Sequence, residues 1–535
     1  MGRIVRGLAL ASSSVLATSA FGADHVVGPG QSIQAAIAIA ANGDRVLVQP
    51  GVYVQSIDLL GKDIDVLGVG GPAATILDAS GSALVLVSMT SGEPATASVS
   101  GFTLRGGLTG IKIAGPTHAV IRNVIVEGQS KFGLSSAHAG DGVFATPTVQ
   151  PFPRLIESIV RGNAGTGVVG ALDVERCVVS GNAEAGLVNV NSCVESYVTG
   201  NVGTFGGGLV GGKSYSRCVI ANNTAIAGAG GSFSGSQTVS ISGCEFRGNV
   251  AIQRGGGVDL LGQYPHDDAG FPTATIRNCS FFGNSAGQTG GAVYLSVSKS
   301  FSGSPNGVTE LHRSTFVGNT PNGVAGTCDV TKLRDSVFWA QSNPIVVKRA
   351  TNPSLDTLLF ADFTLSTLPL FGVGNLNADP LLVDPVLGDM HLTAASPCIG
   401  TGSPVLVPDV EGDSVEGGVD IGADEFVAHL SVPDVVMAGG PITLRTYGPI
   451  GAPVVLFAST SRLDTGIATI AGPLLLGFPL LPAFPLSLGP IGTNSRLEIS
   501  AVVPPSVPAG TSLHFQAYVG GSASRLTLPV TVIIG

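Results

Sequence analysis

Few groupings of residues in this chain could do chemistry, and each also has a plainer explanation. The segment Tyr264-Pro-His-Asp-Asp268 sets an imidazole beside two adjacent carboxyl groups. A carboxylate pair with a nearby histidine suits general acid–base catalysis or cation binding. His266, Asp267 and Asp268 are therefore the expected catalytic candidates, although the flanking proline and glycine also suit a solvated loop. An earlier segment, Ser130 to Arg154, holds His138 and Asp141. Asp409, Glu411 and Asp413 offer oxygen ligands for calcium, but they lack the full EF-hand loop and its terminal glutamate, so a structural turn is the plainer explanation. Tyr264, Tyr197 and Trp339 present aromatic faces that can stack on pyranose rings. The eight histidines are scattered, with no pair at zinc-ligand spacing. There is no nucleophile elbow and no phosphate-binding loop. Calcium aside, no cofactor is expected.

Composition narrows the partner. The 535 residues carry 26 basic and 36 acidic side chains, a formal charge of −10 that disfavours nucleic acid and acidic lipid. Charged residues are only 12% and glycines number 77, which does not suit a long-helix protein. Hydrophobic residues make up 44%, enough for a large core. Residues 1–22 have the pattern of a cleaved secretory signal: Arg3 and Arg6, an apolar run from Leu8 to Ala20, then Ala20-Phe21-Gly22. A later apolar stretch, Ile470 to Ile491, contains five prolines and is read as strand and loop, so no transmembrane segment is expected in the mature chain.

The elements that must position these groups come from a repeat. Ile241-Ser-Gly-Cys-Glu-Phe-Arg-Gly-Asn249 recurs as Ile276 to Asn284 and Leu311 to Asn319, with looser copies upstream. Taking the cysteine position as a mark, the series runs Phe102, Val124, Ser158, Cys177, Ser196, Cys218, Cys244, Cys279, Ser314, Ser336, at spacings of 19 to 35 residues. A period of this length signals a solenoid. Alternation around each mark is strand-like, Gly-Asn ends each strand, and no helical spacing intervenes. Strands and turns alone, at about 20 residues per coil, suit a parallel β-helix with coils stacked ~4.8 Å apart. Marked residues then form one inward column. Val198, Ile220, Phe246, Phe281, Phe316 and Phe338 form a second, and Asn163, Asn182, Asn201, Asn223, Asn249, Asn284 and Asn319 form a turn ladder.

Stacked cysteines have parallel side-chain vectors and too wide a Cβ separation for a disulfide. Cys177, Cys218, Cys244 and Cys279 are expected to stay reduced. Cys193, Cys328 and Cys398 are read as off the column, with at most one bridge among them. Outward positions after the mark, including Ile125, Ile159, Val178 and Tyr197, and later Phe282, Val317 and Trp339, are apolar or aromatic. Cover by a loop or by a C-terminal module is the plainer reading of these patches, and a sugar-stacking face is the functional one.

The solenoid needs end caps. Gln31 to Ala41 places Ile33, Ala36, Ile37 and Ala40 on one helical stripe and is expected to close the start. The string from Gln31 through Gly43-Asp-Arg-Val-Leu-Val-Gln-Pro-Gly-Val-Tyr53 resembles the opening of right-handed parallel β-helix proteins of the pectin lyase-like superfamily. The Phe-x-x-Asn copies and Gly290-Gly-Ala-Val293 resemble the repeats of polymorphic outer-membrane proteins. The strings Asp379 to Pro385, Ser396-Pro-Cys-Ile399 and Asp420 to Phe426 resemble the closing segment of secreted bacterial β-helix proteins. From about Val427 the repeats give way to alternating runs that read as a small antiparallel β-sandwich. The expected organisation is a signal peptide over 1–22, the β-helix over 23–427 and the sandwich over 428–535.

The resemblance implies fold more than activity, because the superfamily includes lyases, hydrolases and adhesins. Its enzymes carry stacked acids or a basic residue on one outer sheet. Here the outward Arg105, Glu127, Arg161, Glu245 and Arg247 are isolated or pair across rungs. The leading expectation is a secreted or cell-surface scaffold presenting loops to extracellular polysaccharide or to a cell-envelope component. The alternatives are a polysaccharide lyase or glycoside hydrolase, and a structural envelope or adhesion protein.

Overall fold

A computed structural model describes residues 22–534 except 81–84, 131–140, 149, 235–237, 262–272, 297–308, 328–330, 342, 349–359, 371, 404–418, 427, 433–434, 470, 477–479, 482–483, 494, 509–510, 521–524 and 528–529. The signal-like start, Tyr264, His266, Asp267, Asp268, Asp409, Glu411, Asp413, His138 and Cys328 lie outside the described residues.

Each marked residue is flanked by two short strands, one before it and one after. A third strand follows the asparagine. Three long sheets result, each wholly parallel. Sheet I has 14 strands from Asp24–Val27 to Phe360–Asp362. Sheet II, which follows the mark, has 13 strands from Gly51–Tyr53 to Leu365–Ser366. Sheet III has 12 strands from Ile57–Asp58 to Asn343–Lys348. The chain visits I, II and III in turn, which is a parallel β-helix. Two coils precede the first mark at Phe102.

Like stacks on like inside. Val198, Ile220, Phe246, Phe281, Phe316 and Phe338 are direct register partners in sheet II. The four phenyl rings stack with centroids 4.9, 4.9 and 4.5 Å apart, close to the ~4.8 Å strand separation. Cys177, Cys218, Cys244 and Cys279 are buried free thiols, as expected. Burial pushes the Cys177 thiol up to about 12, so it has little thiolate character.

Cys193 lies off the mark column, as expected, yet inside the core. It is a fully buried free thiol at the inward position of sheet I, in register with Val174 and Tyr215. Its Sγ lies 3.6 Å from Cys218 Sγ. It sits three residues before its mark, where other copies carry Ile241 or Ile276, so its place was readable from the repeat. Cys398 is also buried and free.

The asparagine ladder runs the length expected. Each side-chain oxygen accepts from the backbone N–H of the preceding coil's asparagine, for example Asn201 N to Asn223 Oδ1 at 3.0 Å. Gln129 extends it at one end, its N–H donating to Asn163 Oδ1. A column of glycines makes room for it. A Cβ on Gly186 would lie 2.6 Å from Val198 Cγ1 and 2.8 Å from Asn201 Nδ2, inside any real contact.

The turn between sheets I and II has its own column. Glu157, Arg176, Glu195, Arg217, Asn278, Arg313 and Asp335 all have φ between 48° and 52°. This left-handed conformation is uncommon for such residues, and it recurs because the coils from Phe102 onward close the corner with one left-handed residue just before the mark. Arg176 bridges to Glu157 at 3.1 Å and Arg217 to Glu195 at 3.0 Å, so charges alternate along the column.

The N-terminal end is closed as expected. Helix α1, Ile33–Ile39, is N-capped by Ser32, whose side chain accepts from Ala35 N–H, and it buries Ile33 and Ile37 on the first coils. The described residues of 428–534 form three small sheets, two of which share a core of their own, including Leu430 and Leu444 from one and Val454, Val519 and Val532 from the other; the third pairs Arg462–Thr469 with Gly472–Leu476. Their pairings are antiparallel except Val435–Val436 with Val530–Ile534. The proline-rich apolar stretch holds strands Gly472–Leu476 and Leu486–Pro490, and no helix among the described residues is long and apolar enough to cross a membrane.

The C-terminal sheets lie against the turn column. Arg462 bridges to Glu195 at 3.0 Å. His514 is 3% exposed, its Nδ1 is 2.9 Å from Thr531 Oγ1, and it faces Glu157, Glu195, Arg176 and Arg462. Burial holds it down at about 4, against an ordinary value of 6.5. The unfolded chain therefore binds this proton at a higher pH than the folded one. The stability His514 contributes as a neutral group is present above pH 6.5 and is lost as pH falls toward 4. The difference is about 3 kcal/mol. Urea midpoints measured from pH 7 to 4 should fall more steeply for the wild type than for His514→Gln. Parallel curves would refute the assignment.

Candidate functional site

The outer face of sheet II supplies the floor of an open cleft that gathers ionisable groups from separate segments. Glu245, Arg247, Ser280 and Thr315 stand on consecutive coils there. Two C-terminal pieces cover that face on either side. The closing segment, with antiparallel strands Leu382–Asp384 and Asp389–Leu392, packs Leu382, Met390, Leu392 and Ile421 against Val317, Val337 and Leu365. Farther along, Ile533 covers Ile125, Ile159 and Val178. The apolar outward patches are thus covered, as the plainer reading had it.

Tyr197 and Trp339 belong to these covered patches. Tyr197 packs with Ile125, Ile159, Val178 and Ile533, and Arg247 lies 5.9 Å from its ring centroid. Trp339 packs into the closing-segment cluster. The structure does not bring the two rings together, and this packing accounts for both without a sugar. The outward charges mostly pair across rungs, Arg105 with Asp78 at 2.8 Å and Arg161 with Glu127 at 2.9 Å, whereas Arg247 bridges to Glu245 on its own strand. Asp141 is buried and accepts from Thr166 N–H at 2.8 Å, a structural task.

Where the closing segment meets the C-terminal sheets, a cleft of about 290 Å³ opens over the floor residues. Asp389, His391 and Asp424 come from the closing segment, and Arg445, Tyr447, Arg496 and Glu498 from the sheet that includes Pro441–Tyr447 and Arg496–Val502. Asp389 is its hub. Its Oδ1 lies 2.7 Å from His391 Nδ1, and its Oδ2 accepts from Tyr447 Oη at 2.6 Å and Arg496 Nη1 at 2.9 Å. Burial alone would raise this carboxyl, but His391, Tyr447 and Arg496 outweigh it and hold the group well below the usual carboxylate range. Burial, with the Asp389 charge, pushes the Tyr447 phenol up. A carboxylate fixed as an anion against an imidazole can orient that ring and stabilise its cation.

A second imidazole lies beside the dyad. His429 pairs across strands with Tyr447, and its ring is 4.2 Å from that of His391. His391 in turn stacks on Tyr447 at 3.9 Å. Asp424 Oδ2 accepts from Leu392 N–H at 2.7 Å. The ligating atoms of His391, Asp424 and His429 all lie within 4.8 Å of one another, so these three could hold a metal ion. Sequence reading missed the group because 33 and five residues separate its members, with no motif between them. In the sequence, Asp420 to Phe426 reads only as part of a closing segment.

No family model matches the chain, and no curated protein sequence does. Among solved structures the chain is similar to a pectin methylesterase mutant in complex with a hexasaccharide, at 13% identity and a TM-score of 0.15, over 65% of this chain and 86% of that one. The β-helix stands on its strand registers, independently of that likeness.

Proposed function

We propose that this chain is a secreted or cell-surface β-helix scaffold that binds extracellular polysaccharide in the cleft over Glu245 and Arg247. The observation that carries the reading is the convergence of three separate segments on one polar cleft, in a chain with only 12% charged residues. Paired guanidinium and carboxylate groups, with Ser280, Thr315 and Tyr447, suit vicinal hydroxyls, which donate and accept at once. The volume, about 290 Å³, is at the small end for ligand sites and fits one or two sugar rings of a longer chain. The signal-like N-terminus supports the location.

Calorimetry against a panel of neutral and uronate oligosaccharides tests this. Binding is expected, and Arg247→Ala and Glu498→Gln should each weaken it at least ~10-fold, about 1.4 kcal/mol. No binding across the panel, or unchanged affinity in both variants, overturns the reading. A second reading, a polysaccharide lyase or glycoside hydrolase, is favoured by one observation: the Asp389–His391 dyad borders the same cleft. New reducing or unsaturated ends in the same incubations would replace binding with catalysis.

A further inference from the structure

His391, Asp424 and His429 have the chemistry of a metal site that is independent of any saccharide. Two imidazoles and one carboxylate form a nitrogen–oxygen donor set of the kind that holds zinc with three protein ligands and one open position. They come from three backbone positions: the strand Asp389–Leu392, the loop after Ile421, and the strand His429–Ser431. All ligating atoms fall within 4.8 Å.

The surroundings are built as an outer shell. Metal-bound histidines commonly give their second ring nitrogen to a carboxylate, which fixes the tautomer. Asp389 does this at His391 Nδ1, 2.7 Å away, which places the ring's lone pair on Nε2. Tyr447 and Arg496 fix Asp389 in turn. The Leu392 N–H orients Asp424, and the His429 ring, 4% exposed, packs against the Tyr447 ring with centroids 4.8 Å apart. Every donor is thus positioned by a partner other than the remaining donors.

We propose that His391, Asp424 and His429 bind one zinc-class divalent cation, with its open coordination position toward the cleft that His391 and Asp424 line. The ion staples the closing segment, which brings His391 and Asp424, to the C-terminal strands, which bring His429. The saccharide reading can fail without affecting this site.

The test uses the purified full chain, stripped with chelator, dialysed, and titrated with Zn²⁺, Mn²⁺ or Ca²⁺ by calorimetry, with bound metal counted directly. The expected result is one Zn²⁺ per chain, a higher Tm with Zn²⁺, and weaker or no binding of Ca²⁺. His391→Gln and His429→Gln should each lower Zn²⁺ affinity at least ~100-fold, and Asp389→Asn, which touches only the outer shell, roughly 10–100-fold. Co²⁺ should give the visible spectrum of a nitrogen–oxygen site with no thiolate charge-transfer band, which separates this site from the cysteines. If His429→Gln fails to fold by circular dichroism, the less buried His391→Gln decides. No Zn²⁺ binding, unchanged affinity in the folded histidine variants, or a preference for Ca²⁺ overturns the proposal.

Discussion

Glu425→Ala should cost roughly 3–5 kcal/mol of stability, because it strands a buried cation. Arg313 has no exposed surface and Glu425 is 2% exposed, and the two form an ion pair. Arg313 stands on the left-handed turn column, where Arg176 and Arg217 upstream bridge to neighbouring acids. The closing segment converts that surface position into an interior one. Glu425 also accepts from Asp420 N–H, while Asp420 accepts from Gly400 N–H at 2.6 Å and Phe426 N–H at 2.7 Å. On the next coil Asp335 accepts from Ser403 N–H at 2.6 Å. Losing Glu425 should loosen the seal over the last coils and leave the first coils intact, because solenoid coils couple to nearest neighbours. Urea unfolding gives the size of the loss. Hydrogen exchange gives its place, with faster exchange expected at Thr315–Val317 and Val337–Trp339. The double variant Arg313→Met, Glu425→Leu removes both charges and should recover most of the loss. A single-variant loss under ~1 kcal/mol would mean a solvated pair and would refute the sealed arrangement.

Asn249→Ala should also cost roughly 3–5 kcal/mol, through unsatisfied donors in the middle of the stack. Asn249 Nδ2 donates to the Ile220 carbonyl at 2.8 Å and to Asn284 Oδ1 at 2.9 Å. Its Oδ1 accepts from Asn223 N–H at 3.0 Å and from Asn223 Nδ2 at 3.1 Å. All three asparagines are fully buried, so water cannot replace the lost partner. The damage should spread to the two adjacent coils, which lose a rung of the same chain of amides. Thr224→Ala, at an exposed position on the preceding coil, should stay within ~0.5 kcal/mol. Equal midpoints for the two variants would show that the ladder is decorative.

The columns were legible before any coordinates because they are periodic. Once Cys244, Phe246 and Asn249 recur as Cys279, Phe281 and Asn284, stacking follows from strand geometry alone. The turn column was not legible. Residues such as Glu157, Arg176 and Arg313 adopt positive φ without being glycine, so the usual composition signal of a left-handed turn is missing there. Gly186 and its equivalents form a column that leaves room for the asparagine amides.

The candidate site shows the opposite limit. Sequence inspection favoured Tyr264, His266, Asp267 and Asp268 because adjacent residues are easy to see together, and these lie outside the described residues. Asp389 meets Arg496 across 107 residues, and His391 meets His429 from a different element. Neither pair lies on any repeat. A stack of like rungs is specified by short-range alternation, which one strand carries and the next repeats. The seating of the closing segment and the C-terminal sheets on sheet II is specified by single, unrepeated contacts such as Ile533 on Val178 and Glu425 on Arg313. Such contacts have no spacing to read, so the cleft and its histidines emerge only when the chain is folded back on itself.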